Sequence, residues 1–585
     1  MEQKSPFRLP RKTPFGVGEN IAEWATGLSK LDTFYQTRPA NCSTEEFLRY
    51  TLSVLNIDYQ VVRGAVDSIP KHGATVVMAN HPLGCVEGVI LAEILLMIRP
   101  DVQILANQYL KTVPELDQLF IGVDVFEGQN AAKANLKALR QANKHLAEGG
   151  LLLMFPAGEV SQLVNRKEKR LEDKEWSRSV SSLIRKNKAQ AVPVFINGHN
   201  SQRFYMAGKI HPLLRTLMLG RELLNKGQQT IELAIGETIK YKELNKLDDQ
   251  QLVSYLRLNT YLMQKYTQPP ALATSGDQSQ ALPIADPLPL TALLQDIQSL
   301  PREAHMVSSG EFDVYCATSD QLPSMIHEIA RQREINFRDV GEGTGLALDM
   351  DDFDHDYYHL FVWDREAQRF VGAYRLGLVD QILSQKGVKG LYSRTLFHYD
   401  ERFLNTMGKS IEMGRSVVAK EYQKSMSALL LLWKGIATFV ARHPDYTHLF
   451  GPVSISNDYS LEARQLLAQS MTLHYYDDQS AEYVLPSNPL PDTRHWNTGM
   501  LTALGDLQLL SRVLSRMDNG KGVPVLLRQY LGLNGKIVSF NVDPDFNDAL
   551  DGLIMVDLTD VPVKTLARYM GLEAAEHYLQ YHAID

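Results

Sequence analysis

Three apolar runs constrain this chain more than any other feature, because each breaks at once into a polar loop. They are "ATVVMANHPLG" from Ala74, "LLLMFPAGEVS" from Leu151 and "AQAVPVFINGHNS" from Ala189. Short runs that are apolar on both faces belong to strands buried between layers. The segments between them carry helical periodicity. "STEEFLRYTLSVLNI" opens with Ser43 and Glu46 at capping-box spacing, and "NAAKANLKALRQANKHLAEGG" is an amphipathic helix closed by Gly149 and Gly150. Strands alternating with helices specify an α/β layered domain, whose active site gathers in the loops at the carboxyl ends of the strands. All three unusual loops sit at such ends.

One such domain does not account for 585 residues, given a prior of about 150 residues per domain. The clearest seam is "YTQPPALATSGDQSQALPIADPLPL", rich in Pro, Ala, Ser and Gln and without a sustained period, which reads as a linker. The expected organisation is a domain over 1–265, a linker over 266–300 and a second domain over 301–585. Residues 1–270 hold 34 Lys and Arg against 27 Asp and Glu, whereas the remainder holds 26 against 41. A basic half joined to an acidic half suggests different partners, an anionic membrane surface being the candidate for the first; ordinary variation between domains is the alternative. No nucleic-acid partner is expected.

Cys42, Cys85 and Cys316 lie far apart, with neither metal-ligand spacing nor a disulfide framework, which points to a reducing compartment and no metal. Basic residues near the N-terminus have no apolar core behind them, so no secretory signal is expected. "GVILAEILLMI" and "SALLLLWKGIATFVA" contain Glu93 and Lys434 and fall short of the roughly 20 residues of a membrane span. The expectation is a cytoplasmic protein able to touch a membrane surface.

In "ANHPLGCVEG" an imidazole and a carboxylate stand six residues apart at a strand-to-helix turn. A neutral His81 within reach of a hydroxyl would act as general base as that oxygen attacks an activated carbonyl. A carboxylate on its other ring nitrogen, Glu87 being the local candidate, would fix the tautomer and stabilise the imidazolium. The alternative is a histidine that caps a turn and a glutamate that begins a solvated helix. "NHPLG", "FPAGEVS" and "PVFINGHNS", in this order, resemble the lysophospholipid acyltransferase superfamily over about residues 45–240. That superfamily usually has His followed by Asp at the fifth residue; here the fifth is Val86 and the acid is Glu87. The resemblance implies that His81 is the acyl-transfer base. It also makes Phe155, Pro156, Gly158 and Glu159 part of an acceptor-binding loop, with Gly158 permitting close backbone approach.

In the second half "FDVYCAT", "FVGAYRLGLV", "SIEMGRSVV" and "YTHLFGPVSIS" read as strands, and "LPSMIHEIARQREINFR" and "SMSALLLLWKGIATFVARH" as helices. This order suggests a mixed sheet of the N-acetyltransferase (GNAT) type. Aspartates at 349, 351, 352, 354 and 356 are candidates for binding a cationic amino substrate, an exposed acidic loop being the alternative. The run lacks the glycine and distal glutamate of an EF-hand, which discounts calcium. Arg375 belongs to a buried strand and should pair with a carboxylate. Glu412 and Arg415, three apart on a strand, should point to opposite faces, with Glu412 either deprotonating an amine or forming a structural ion pair. The stretch "QKSMSA" has Met426 where coenzyme A-dependent acetyltransferases carry a glycine of their pyrophosphate loop, which leaves room for a carrier-protein thioester.

"FRDVGEG", "DDFDHDYYHL", "VGAYRL", "EMGRSVV", "LLWKGI" and "LFGPVS" resemble the ornithine N-acyltransferase family, relatives of the acyl-homoserine-lactone synthases, over about residues 310–560. That resemblance implies a site of Asp352, Asp354, Arg375, Glu412 and Arg415. The whole then resembles the bifunctional ornithine lipid synthases of bacteria. It implies transfer of a 3-hydroxyacyl group from acyl carrier protein to the α-amine of ornithine or a similar amino acid, then O-acylation of the new hydroxyl in the lyso-aminolipid intermediate. Acyl-carrier protein or coenzyme A would supply the second chain, with no bound cofactor, at the inner face of the cytoplasmic membrane. The alternatives are a glycerolipid or lyso-lipid O-acyltransferase fused to an N-acyltransferase for glycine or a homoserine derivative, or to a non-catalytic carrier- or lipid-binding module.

Overall fold

A computed structural model describes residues 5–9, 17–124, 129–165, 170–210, 215, 217–227, 230–267, 281–491 and 496–583. Most of the basic N-terminal stretch and positions 268–280 of the expected linker lie outside them. The chain forms two compact units, Met1–Leu272 with Trp496–Ala503, and Ala273–His495 with Leu504–Asp585.

The first unit is built on seven strands, β1 (Asp58–Arg63), β2 (Thr75–Ala79), β3 (Val102–Asn107), β4 (Phe120–Val123), β5 (Leu151–Met154), β6 (Gln190–Asn197) and β7 (Thr230–Ile235). Their order is β1-β7-β6-β2-β5-β3-β4, parallel except for the β6–β7 pair. Every residue of β2 and β5 is buried, as their unbroken apolar sequence requires of strands covered on both faces. Thr75 lies opposite both Leu151 and Gln190, so β2, β5 and β6 run side by side in register and their following loops emerge together. The helix Thr44–Val54 begins with the expected capping box, Glu46 N donating to Ser43 Oγ and Ser43 N to Glu46 Oε2.

The second unit has eight strands, β8 (His305–Ser309), β9 (Phe312–Thr318), β10 (Tyr358–Asp364), β11 (Arg369–Leu378), β12 (Ser410–Val418), β13 (His448–Ile455), β14 (Lys536–Asp543) and β15 (Ala549–Asp557). They are ordered β8-β9-β10-β11-β12-β13-β15-β14. All neighbours are antiparallel except β12 and β13. That parallel ladder joins only Ser410–Glu412 to His448–Phe450, although both strands continue, and beyond it β12 and β13 are unpaired with each other. The expected α/β first half and mixed-sheet second half are both present.

Two local features differ from the sequence reading. Within the stretch 266–300 expected as linker, Leu290–Ser299 is a helix. Its Leu293 is buried in a core cluster with Ile326 and Phe361, and Asp296 accepts hydrogen bonds from Ser324 and Met325 N at the head of the helix Met325–Asp339. "LTALLQDIQSL" has helical spacing that the Pro-rich residues before it obscured. Arg415 has φ of +49° in a bulge on β12, where the partner register passes from Arg375↔Gly414 to Ala373↔Val417. A bulge inserts an extra residue and turns the side chains beyond it. Glu412 and Arg415 therefore do not diverge as strict alternation predicts: Tyr392 N donates to Glu412, while the Arg415 guanidinium lies 4.8 Å from the Tyr392 ring centroid.

Among the described residues no helix is long and apolar enough to cross a membrane.

Candidate functional sites

The first site forms where β2 ends. Asn80 is buried and bonds both N and O of Ile196, fastening the start of the His81 loop to β6. Asn200, also buried, donates to the carbonyls of Pro82 and Leu83, so the "INGHNS" loop holds the "HPLG" loop from the other side. The helix Val86–Leu96 follows, with Glu87 fully buried in its first turn. Glu87 Oε1 accepts from Leu83 N and Gly84 N, both at 2.9 Å.

His81 Nδ1 lies 2.9 Å from the same Oε1, close but off the line of a straight hydrogen bond. Burial pushes the Glu87 carboxyl up, but the His81 charge and the amide donors outweigh it and hold it below the usual range. The extra residue relative to the superfamily's spacing thus does not separate the pair. The longer glutamate reaches back across its own turn. The His81 ring stacks on Phe155 at 4.5 Å between centroids, stays partly exposed, and its Nε2 meets no hydrogen-bond partner among the described residues.

Asp173 is the residue that sequence reasoning missed here. It is buried, and its Oδ1 accepts from His81 N at 3.2 Å and from Ser161 Oγ at 2.5 Å. Trp176 Nε1 donates to Oδ2, and Ser161 N donates to the His81 carbonyl. One carboxylate thereby locks the histidine loop to the "PAGEVS" loop. Burial raises its pKa, against the hydrogen bonds from Ser161 and Trp176.

The rest of the "FPAGEVS" loop is placed as follows. Pro156 accepts from Ser177 N through its carbonyl. Gly158 has φ of +70°, and a Cβ there would meet nothing within 4 Å, so backbone conformation, not the close approach expected from the sequence, calls for glycine. Glu159 is engaged by Lys174 and Arg215. Burial raises it, but those two cations hold it below the usual carboxylate range. It is a charge-paired side chain, not a free polar contact.

In the second unit the aspartate run is a neutralised network. Arg333, on the helix Met325–Asp339, grips Asp354 with two bonds, at 2.9 and 2.8 Å, and approaches Asp349 at 3.5 Å. Arg375 donates to Asp351 at 2.5 Å and to Asp354 at 3.2 Å, as a buried strand arginine must. Arg415 lies 3.4 Å from Asp351 and 3.5 Å from Asp349. Three arginines meet three aspartates, so Asp349, Asp351 and Asp354 have no surplus charge for a substrate cation. Asp352 is exposed and Asp356 pairs with Lys386.

Glu412 also differs from its expected part. It is buried, and Tyr357 OH and Tyr392 N donate to Oε2 while Ser393 N and Ser393 Oγ donate to Oε1. A carboxylate offers about four lone-pair sites, so none remains to take a proton from an amine. It forms no ion pair with Arg415 among the described contacts. The geometry makes it the anchor of the Tyr392 loop.

His359 is buried beside this network, its Nε2 2.8 Å from the Asp354 carbonyl, and burial lowers it to about 4. A base depressed in the fold stabilises fully above its unfolded pKa and loses that contribution as pH falls. Between pH 6.5 and about 4 the second unit should therefore lose about 3 kcal/mol. Urea midpoints across that range check this; His359→Gln, which keeps a donor but cannot be protonated, should flatten the dependence. Asp354, raised by burial but pulled well below its usual value by Arg333 and Arg375, adds its loss below about pH 4.

Residues 30–268 match the family model described as Acyltransferase, and residues 332–434 the model described as Acetyltransferase (GNAT) domain. The chain is 29% identical over 278 residues to a glycine N(alpha)-acyltransferase of Bacteroides thetaiotaomicron, covering 44% of this chain and 81% of the relative. It is 27% identical over 197 residues to a lyso-glycine lipid O-acyltransferase of Phocaeicola vulgatus, covering 32% of this chain and 68% of the relative. The crystal structure of a 1-acyl-sn-glycerophosphate acyltransferase from Thermotoga maritima aligns over 43% of this chain and 89% of its own, at 16% identity and a TM-score of 0.27. Both sheets, the His81 loop and the two family matches lead to one statement: the chain is an acyltransferase, with an acyltransferase-like domain and a GNAT domain.

Proposed function

We propose that the chain makes a two-chain aminolipid in two steps. The second unit joins a 3-hydroxyacyl group from acyl carrier protein to the α-amine of an amino acid, and the first esterifies the resulting 3-hydroxyl with a second acyl chain carried on acyl carrier protein or coenzyme A. The order follows from chemistry, since no hydroxyl exists until the amide is made. Fusion raises the effective concentration of the intermediate at the second site. The observation that carries the reading is the buried Glu87 against His81 Nδ1 at 2.9 Å, which leaves Nε2 to take the proton of an attacking hydroxyl. The paired relatives named for N-acyl and O-acyl transfer support the two steps.

Ornithine is the amino acid the sequence resemblance implies. Glycine is a second reading, favoured by the names of the relatives and by the arginines that already occupy Asp349, Asp351 and Asp354. A single-chain intermediate is only marginally held by a bilayer whereas a two-chain product stays there, so the enzyme works peripherally at the inner face of the cytoplasmic membrane.

Mass spectrometry of total lipids from cells expressing the intact chain tests this. A new two-chain aminolipid is expected, and its headgroup fragment names the amino acid. Altered glycerolipids with no aminolipid would overturn the N-acyl step. Within the first site, Glu87→Gln should keep the Leu83 and Gly84 bonds but lose the charge. A fall of up to about 10⁴-fold in O-acyl kcat, with an unchanged melting temperature, is expected by analogy with an orienting carboxylate.

A further inference from the structure

Outside the arginine-paired aspartate run, the second unit also holds acids with no cationic partner among the described contacts, Asp551 and Asp543 among them. Asp551 on β15 stands opposite Ser454 of β13 and Asn541 of β14, and Asp543 follows two residues after Asn541, on the same face by strand alternation. In the parallel pair β12–β13, Glu412 lies opposite Phe450, so Ser454, four residues on, shares the face of Glu412. This row reaches the place where β12 and β13 have ceased to pair. Arg415 is turned onto that side by its bulge and sits 4.9 Å from the ring of Phe546, in the turn between β14 and β15. Asp551 is 2% exposed. Ser454 Oγ donates to its Oδ1 at 2.6 Å, while its Oδ2 is buried with no hydrogen-bond partner.

An unsatisfied carboxylate oxygen in such a place is costly unless something binds it. We propose that Asp551, with Asp543 on the same face, is the ammonium site of the second unit and accepts the proton that the attacking amine must lose. This rests on the N-acyl reading above. The ammonium gives one proton to Asp551 Oδ2, and the freed nitrogen lone pair attacks the thioester carbonyl, forming the C–N bond. The C–S bond then breaks and the sulfur leaves with the second nitrogen proton as a thiol, after which Asp551 returns its proton to water. The surroundings suit the task. Burial lifts the Asp551 carboxyl to about 7, Ser454 and Arg415 pulling against it and Asp543 and Glu342 adding to the rise. Glu342 is itself lifted to about 7 by burial, with Asp458 and Asp543 adding to it. Burial lifts the Tyr392 hydroxyl, and the Asp551 charge adds to that rise while Arg415 and Arg375 oppose it.

The test uses the full chain, a 3-hydroxyacyl thioester of acyl carrier protein, and ornithine or glycine as acceptor, with amide product followed across pH 5.5–9 as a general range for such a base. The wild type should show a rising limb near neutral pH. Asp551→Asn should lower kcat/KM about 100-fold or more and lose that limb. Ser454→Ala, which removes the hydrogen bond that favours the ionised acid, should move the limb to higher pH while amide is still formed. If Asp551→Asn proves unfolded by thermal denaturation, the Ser454→Ala shift decides. Amide formation with an unaltered profile in the variants would make Asp551 a merely structural acid and overturn the proposal. A wild type that forms no amide with any amino acid would instead defeat the N-acyl reading, and the two failures are told apart by the wild type alone.

Discussion

His81→Ala should stop the second acylation and leave the first intact. On the proposed two-step reading, cells expressing this variant should accumulate the single-chain aminolipid in place of the two-chain product. With purified protein and the single-chain lipid as acceptor, O-acyl kcat should fall by about 10²- to 10⁴-fold, the range of a positioned general base. The effect is chemical and not structural. The histidine side chain is partly exposed, and its loop is held by groups that survive the change: Glu87 on Leu83 N and Gly84 N, Asp173 on the backbone N of residue 81, Asn200 on Pro82 and Leu83. Alanine retains that backbone N–H. The melting temperature should accordingly move little, and the KM of the acyl donor should change less than kcat. Full O-acyl activity in His81→Ala would remove His81 from the chemistry altogether.

The largest loss of stability should follow Arg333→Met. Arg333 is 1% exposed on its side chain, as is Asp354. Methionine fills much of the volume but leaves Asp354 with Arg375 at 3.2 Å as its cation and the Asp351 N–H at 3.0 Å, and Asp349 to Arg415 at 3.5 Å. Removing one partner of a buried ion pair costs about 3–5 kcal/mol, because a desolvated charge is left uncompensated. Whole domains are stable by about 5–15 kcal/mol, so the second unit should unfold at a much lower urea concentration. Arg333→Lys should rescue little, since an ammonium cannot reproduce the two-pronged grip on Asp354. Replacing Arg333 and Asp354 together by apolar residues should restore part of the loss. A double-mutant cycle measures the coupling, and additive losses would show that the pair is not a unit.

Much of this arrangement was legible from local pattern. Buried strands announce themselves by unbroken apolar runs, and the loops after them by abrupt polarity. For that reason His81, Phe155 and the three converging loops stood out, as did both sheets in outline. Glu87 was legible because it is local to His81. Asp173 was not, being 92 residues from the backbone N–H it accepts. Arg333 gave no more sign, since its partners Asp349 and Asp354 lie beyond the end of its own helix and only the packing of that helix against the sheet unites them. Glu412 and Arg415 were found by motif, but their directions were misjudged because a bulge cannot be read from alternation. The aspartates drew attention by density alone. Density does not distinguish acids already matched by arginines from acids left over, and Asp551, with its serine partner 97 residues away, has no pattern around it.

The left-handed backbone at Arg415 has a consequence for how this protein would change under selection. A side chain other than glycine held there sacrifices conformational energy, of the order of 1 kcal/mol. A library selected only for thermal resistance should therefore enrich glycine or asparagine at this position, provided the loss of the guanidinium from Asp349 and Asp351 is made good by nearby changes. A library selected only for aminolipid output should return arginine. Divergence of the two selections at one codon would separate what the fold wants from what the chemistry demands.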